Sequence, residues 1–102
     1  MTRKEWYNYK RVGPCESCGK RGYRQAHHVV RQQNLPKDLL NDTRNRMLIG
    51  PMCCHYGHSN YGVNDRRILY SKVPPAAVAF AKEVLGTGPA LEYFRRYYRE
   101  AP

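Results

Sequence analysis

The chain has 102 residues, with 18 Lys and Arg against 8 Asp and Glu, a formal net charge of +10 and four cysteines. That length holds one domain (1–102) with a modest core, which an added staple would help. The charge points to polyanionic partners, nucleic acid before a membrane surface. No run reaches the ~18 apolar residues of a membrane span.

In chain order, Gly13, Pro14, Gly19 and Gly22 read as turns around the pair Cys15 and Cys18. Arg24 to Val30 contains Ala26-His27-His28-Val29-Val30, a short strand. Arg31 to Arg46 is polar and reads as loop, with a helical turn at Leu39-Leu40 packed beneath it. Met47-Leu48-Ile49 is a second short apolar run, ended by Gly50-Pro51. Cys53 to Asn60 opens a helix, with Pro51 at a tolerated entry position, and Gly62 breaks it.

The last third differs. Pro74 and Pro75 start an amphipathic helix with Ala77, Phe80, Ala81 and Val84 on one face. Gly86 stops it and Gly88-Pro89 starts another, with Leu91, Phe94 and Tyr98 on one face. These stripes read as core. Trp6 also reads as core, because a small domain needs its one tryptophan inside.

The cysteines and histidines form a constellation. The N-terminal Met-Thr-Arg-Lys-Glu-Trp lacks the apolar stretch of a signal peptide, so a cytoplasmic location is expected. In a reducing compartment the cysteines read as metal ligands. Cys15-Glu16-Ser17-Cys18-Gly19 offers two thiolates to one tetrahedral ion, and the glycine permits the turn. A redox Cys-x-x-Cys would need a thioredoxin-like βαβ context, which the pattern lacks. Cys53-Cys54-His55-Tyr56-Gly57-His58 supplies the second ligand segment of a structural Zn²⁺ site. Adjacent Cys53 and Cys54 project differently, so Cys53, Cys54 or His58 completes the site.

His27 and His28, adjacent on a strand, point to opposite sides. One can hold a metal while its neighbour faces a water beside substrate. His55 and His58, at i and i+3, share a helix face and offer further ligands.

Cys15-x-x-Cys18, Ala26-His27-His28-Val29, Asp42-x-x-Asn45 and Cys54-His55-x-x-His58 together resemble the zinc-containing branch of HNH endonucleases, especially small bacteriophage-encoded ones. The resemblance covers about residues 15 to 60. It implies an α+β fold: a ββα-metal core with a zinc knuckle (about 12–62) and a C-terminal helical extension (about 73–100). By position, His28 resembles the general base, and Asn45 the residue that orients the base or braces the loop. His27, His55 and His58 resemble catalytic-metal ligands. One departure is that Pro51 stands three residues before Cys54, where relatives carry a second Cys-x-x-Cys. The resemblance also implies phage DNA processing or packaging in a host cytoplasm, with a terminase as a possible partner.

These residue types suit phosphodiester hydrolysis. An imidazole near its ordinary pKa takes a proton from water at neutral pH. A divalent ion (Mg²⁺, Mn²⁺, Ni²⁺ or Zn²⁺) neutralises charge on the leaving oxygen, and histidine ligands favour the softer ions. Arg24, Arg31, Arg44, Arg46, Arg66 and Arg67 flank the site in sequence and are expected to contact DNA phosphates. The competing expectation is a non-catalytic zinc-ribbon module that binds nucleic acid. Such a knuckle needs only the cysteines and one histidine.

Overall fold

The computed structural model describes residues 1–50 and 68–102. The helix expected over Cys53 to Asn60 lies outside the described residues, as do Cys53, Cys54, His55, His58, Arg66 and Arg67. The fold is α+β, with two short antiparallel sheets and two C-terminal helices.

The N-terminal third is more regular than its glycines suggest. Helix α1 spans Arg3–Asn8 and is opened by a capping box, in which the Thr2 hydroxyl accepts from the Glu5 backbone N–H and the Glu5 carboxylate accepts from the Thr2 backbone N–H. Two orphan donors are satisfied reciprocally, which lets so short a helix form. Strands β1 (Val12–Pro14) and β2 (Arg21–Tyr23) pair around the cysteine turn, with Gly13 opposite Gly22.

Strands β3 (Gln25–His28) and β4 (Arg46–Ile49) fall on the two short apolar runs expected from the sequence, with β3 ending at His28 so that Val29 and Val30 lie beyond it. They pair antiparallel, with His27 opposite Met47 and His28 opposite Arg46. The polar stretch between them makes three 3₁₀ turns, one of them at Lys37–Leu39. Paired residues share a face, so this hairpin has two distinct sides. Ala26 and Leu48 pack on Trp6 of α1. Met47 and Ile49 join the main core with Val29, Val30, Ile68, Val73, Phe80, Phe94 and Tyr98.

Helices α2 (Pro75–Leu85) and α3 (Thr87–Tyr97) add Ala77, Phe80, Ala81, Ala90, Tyr93 and Phe94 to that core. Pro75 occupies the first turn of α2, where its missing N–H is harmless. Gly86, at φ 94°, turns the chain between the helices, a conformation a side chain would resist. The buried face of α3 is Ala90, Tyr93 and Phe94, with Leu91 half-buried. Tyr98 is buried in the extended residue that caps the helix. Trp6 is fully buried, as expected of core. Among the described residues no helix is long and apolar enough to cross a membrane.

Candidate active site

Strand β3 ends on the two histidines, and alternation separates them as the sequence implies. His27 turns into the main core and is 7% exposed, whereas His28 turns toward α1 and is half-buried.

On the His27 side, two tyrosines converge on one carbonyl. The Tyr93 hydroxyl donates to the Val29 carbonyl at 2.7 Å, and the Tyr98 hydroxyl donates to it at 3.0 Å. The Arg31 backbone N–H donates to the Tyr93 hydroxyl at 3.0 Å. His27 Nε2 lies 2.9 Å from the Tyr98 hydroxyl. A carbonyl only accepts, so with the Tyr98 proton on Val29, His27 donates from Nε2 and carries its lone pair on Nδ1; in the other tautomer Tyr98 donates to Nε2 and Tyr93 alone serves the Val29 carbonyl. Burial pushes the Tyr93 hydroxyl up to about 12 and the Tyr98 hydroxyl well above its ordinary value, so both stay protonated.

On the His28 side, the imidazole stacks on the Trp6 indole, with centroids 3.9 Å apart and an interplanar angle of 15°. The Tyr7 ring meets it edge-on at 5.6 Å. Its Nε2 lies 3.2 Å from the Leu40 carbonyl, so Nε2 donates and Nδ1 again carries the lone pair. Burial lowers its pKa below the ordinary 6.5; the Leu40 hydrogen bond opposes this and the nearby Arg3 charge assists it. The neutral imidazole is therefore the form present at neutral pH.

Asn45 is fully buried between these sides. Its carboxamide closes a ring with one residue. Oδ1 accepts from the Val30 N–H at 2.7 Å and Nδ2 donates to the Val30 carbonyl at 3.0 Å. The Asn45 carbonyl accepts from the Val29 N–H at 3.0 Å. Of the two roles the resemblance allows, this geometry is that of bracing the loop. The clamp fixes the chain immediately after His28.

The cysteine turn docks on the outer edge of β4. The Glu16 backbone N–H donates to the Leu48 carbonyl at 2.8 Å, and the Glu16 carboxylate accepts from the Leu48 N–H. Within the turn, Cys15 N–H donates to the Lys20 carbonyl and Gly19 N–H to the Cys15 carbonyl, with Gly19 at φ 82°. Cys15 is buried and Cys18 exposed. The pair thus sits against the strand whose sequence continues to Cys53 and Cys54. Among the described residues no three His, Cys, Asp or Glu side chains group as a metal site.

Four of the arginines expected on DNA, Arg24, Arg31, Arg44 and Arg46, have work inside the fold. Arg24 donates to the Lys10 carbonyl from Nε and Nη2 and to the Pro14 carbonyl from Nη1, tying the turn after α1 to the end of β1. Arg44 bridges Asp42 and, at 2.6 Å, Glu83 of α2. Arg46 donates to the Trp6 carbonyl and lies 4.0 Å over the Tyr9 ring. Arg31 stacks 4.2 Å over Tyr97. Sequence reasoning missed Tyr93 and Tyr98 as polar partners, reading Tyr98 only as part of an apolar stripe. Their spacing carries no sign of which carbonyl they reach.

No family model, curated protein or solved structure matches this chain.

Proposed function

We propose that the chain is a metal-dependent endonuclease of the HNH kind that hydrolyses DNA phosphodiester bonds. The observation that carries this reading is the state of His28. A backbone carbonyl holds its Nε2–H, burial keeps it neutral, and Nδ1 bears the lone pair. That is the form a general base needs. The Asn45 clamp on Val29 and Val30 supports the reading by fixing the strand end that carries it.

His28 Nδ1 takes a proton from water as the water oxygen bonds to phosphorus. The bond from phosphorus to the 3′ oxygen breaks, and the departing oxygen takes up a proton from solvent. A divalent ion would be held by His27 with His55 and His58, and would neutralise charge on the leaving oxygen. His27 fits that duty, because ligating histidines donate their other ring N–H to a fixed acceptor, and Tyr98 is that acceptor. The docking of Cys15 and Cys18 beside β4 supports a structural Zn²⁺ completed by Cys53, Cys54 or His58. A role in phage DNA packaging beside a terminase belongs to the same proposal, and gene neighbourhood tests it.

Plasmid nicking with added Mg²⁺, Mn²⁺, Ni²⁺ or Zn²⁺ tests the chemistry. His28→Ala should lose about 100-fold or more of the cleavage rate, within the range of one general base, and should retain DNA binding. Equal nicking by the two proteins would remove His28 as the base. One contact favours a second reading, a non-catalytic zinc-ribbon module: the stack on Trp6 gives His28 a packing role that needs no reaction. DNA binding without nicking by the wild type under any of these ions would select that reading.

A further inference from the structure

A pocket of about 250 Å³ opens between the end of α1 and strands β1 and β3, lined by Tyr7, Asn8, Arg11, Arg24, Gln25 and Ala26. All six belong to the described residues. The pocket adjoins His28 in two ways. Tyr7 lines it and also meets the His28 ring. Ala26 lies on the same face of β3 as His28, two residues away, or roughly 7 Å along the strand.

Its polar groups differ in how they are engaged. The Arg24 guanidinium is held by the Lys10 and Pro14 carbonyls. Arg11 is exposed and lines the pocket, and its guanidinium sits 5.8 Å over the exposed Tyr23 ring, a contact to a ring face that does not use up the in-plane N–H donors. Asn8 and Gln25 are exposed and place two amides at the same rim. The pocket therefore offers a fork of charge-assisted donors, two amides and an aromatic wall. That set matches a phosphodiester with its attached sugar and base.

We propose that this pocket is a nucleotide subsite, seating a phosphate about two steps along the strand from the attacked one on Arg11, Asn8 and Gln25, with its sugar or base against Tyr7. Its place relative to an attacked phosphate rests on the nuclease reading, and the binding itself does not. Phosphates along one strand advance about 3.4 Å each along the helix axis, so a site roughly 7 Å from His28 is about two nucleotides away. Arg11 is then a binding residue that sets where the strand lies across His28.

The test is the affinity of the full chain for a short fluorescein-labelled DNA duplex, measured over a series of salt concentrations. Arg11→Gln removes the pocket cation. Lys20→Gln removes the same charge at an exposed position outside the pocket. Arg11→Gln should weaken binding about tenfold and lower the salt slope by about one, with Lys20→Gln changing affinity by less than about twofold. Asn8→Asp, which sets a carboxylate at the rim, should weaken binding at least as much as Arg11→Gln, and unchanged thermal melting of each variant shows that folding is intact. Equal effects of Arg11→Gln and Lys20→Gln would overturn the subsite, whatever the nicking assay gives. Arg11-dependent binding in a protein that nicks nothing would retire the nuclease and leave the subsite standing.

Discussion

The two faces of the β3–β4 hairpin are built to different depths. One carries His27 against the main core, where Val29, Val30, Phe80, Phe94 and Tyr98 are buried. The other carries His28 over a cluster whose buried members are Trp6, Ala26 and Leu48. On the deep face, the Tyr98 hydroxyl meets a histidine that is buried. On the shallow face, a backbone carbonyl and one indole hold it half-exposed. A metal ligand profits from the first setting, since its tautomer and ring orientation are fixed. A base needs the second, since its lone pair must meet water.

The largest expected effect tests how thin the shallow face is. Trp6→Ala removes its main volume and should cost about 3–5 kcal/mol, a fall in melting temperature of more than ~12 °C for a domain this size. If it melts less than about 4 °C below wild type, the shallow face contributes little and the contrast fails.

Asn45→Ala comes next, because the clamp serves both faces. It leaves the Val30 N–H and carbonyl without their carboxamide partner in a buried position, at about 2–4 kcal/mol for the two groups. Calorimetric melting checks it, and nicking should fall with the loosened strand end.

Tyr98→Phe should cost only about 1 kcal/mol, because the Tyr93 hydroxyl still satisfies the Val29 carbonyl. Its signature is different: Nε2 of His27 loses its acceptor, so apparent affinity for Mn²⁺ or Ni²⁺ should drop about tenfold. Nitrogen chemical shifts of the His27 ring should also show a mixed tautomer. An unchanged tautomer would mean that Tyr98 does not set it.

The smallest effect is on pH. The His28 pKa is lowered in the folded state, so the unfolded chain binds its proton first as pH falls. Stability is fully present above 6.5 and declines as pH drops from 6.5 to the folded value. The cleavage rate should hold its plateau below 6.5 before falling. A limb centred above 6.5 would show that burial does not govern the base.

The sequence made some of this legible. The apolar runs at Ala26 to Val30 and Met47 to Ile49 became β3 and β4, and the Pro75 and Gly86 punctuation bounded α2. Helix α1 escaped notice because a six-residue segment with one buried side chain has no periodicity to read, although Thr2-x-x-Glu5 was present as its cap. β1 and β2 escaped because all their residues but Gly13 are exposed. At the site, the separation of His27 from His28 follows from alternation alone. The groups that hold them do not, because the Leu40 carbonyl is a backbone atom that any residue could supply and the Tyr98 hydroxyl lies 71 positions from His27 in the chain. Charge misled in the same way: Arg24, Arg44 and Arg46 look like a solvated cationic surface until their acceptors are located in three dimensions.

The loop between the two strands touches the His28 face through its main chain. The Leu40 carbonyl takes the His28 N–H, and the Asp42 carbonyl takes the Trp6 indole N–H at 3.0 Å. Leu35 and Leu39 also pack on the main core, and the Gln32 amide donates to the Tyr7 hydroxyl, so these letters are constrained with the path while the exposed ones between them are not. Over evolutionary time the exposed positions can drift while the stretch keeps its length, so relatives of this chain are better sought by the spacing from His28 to Asn45 than by the exposed residues between them.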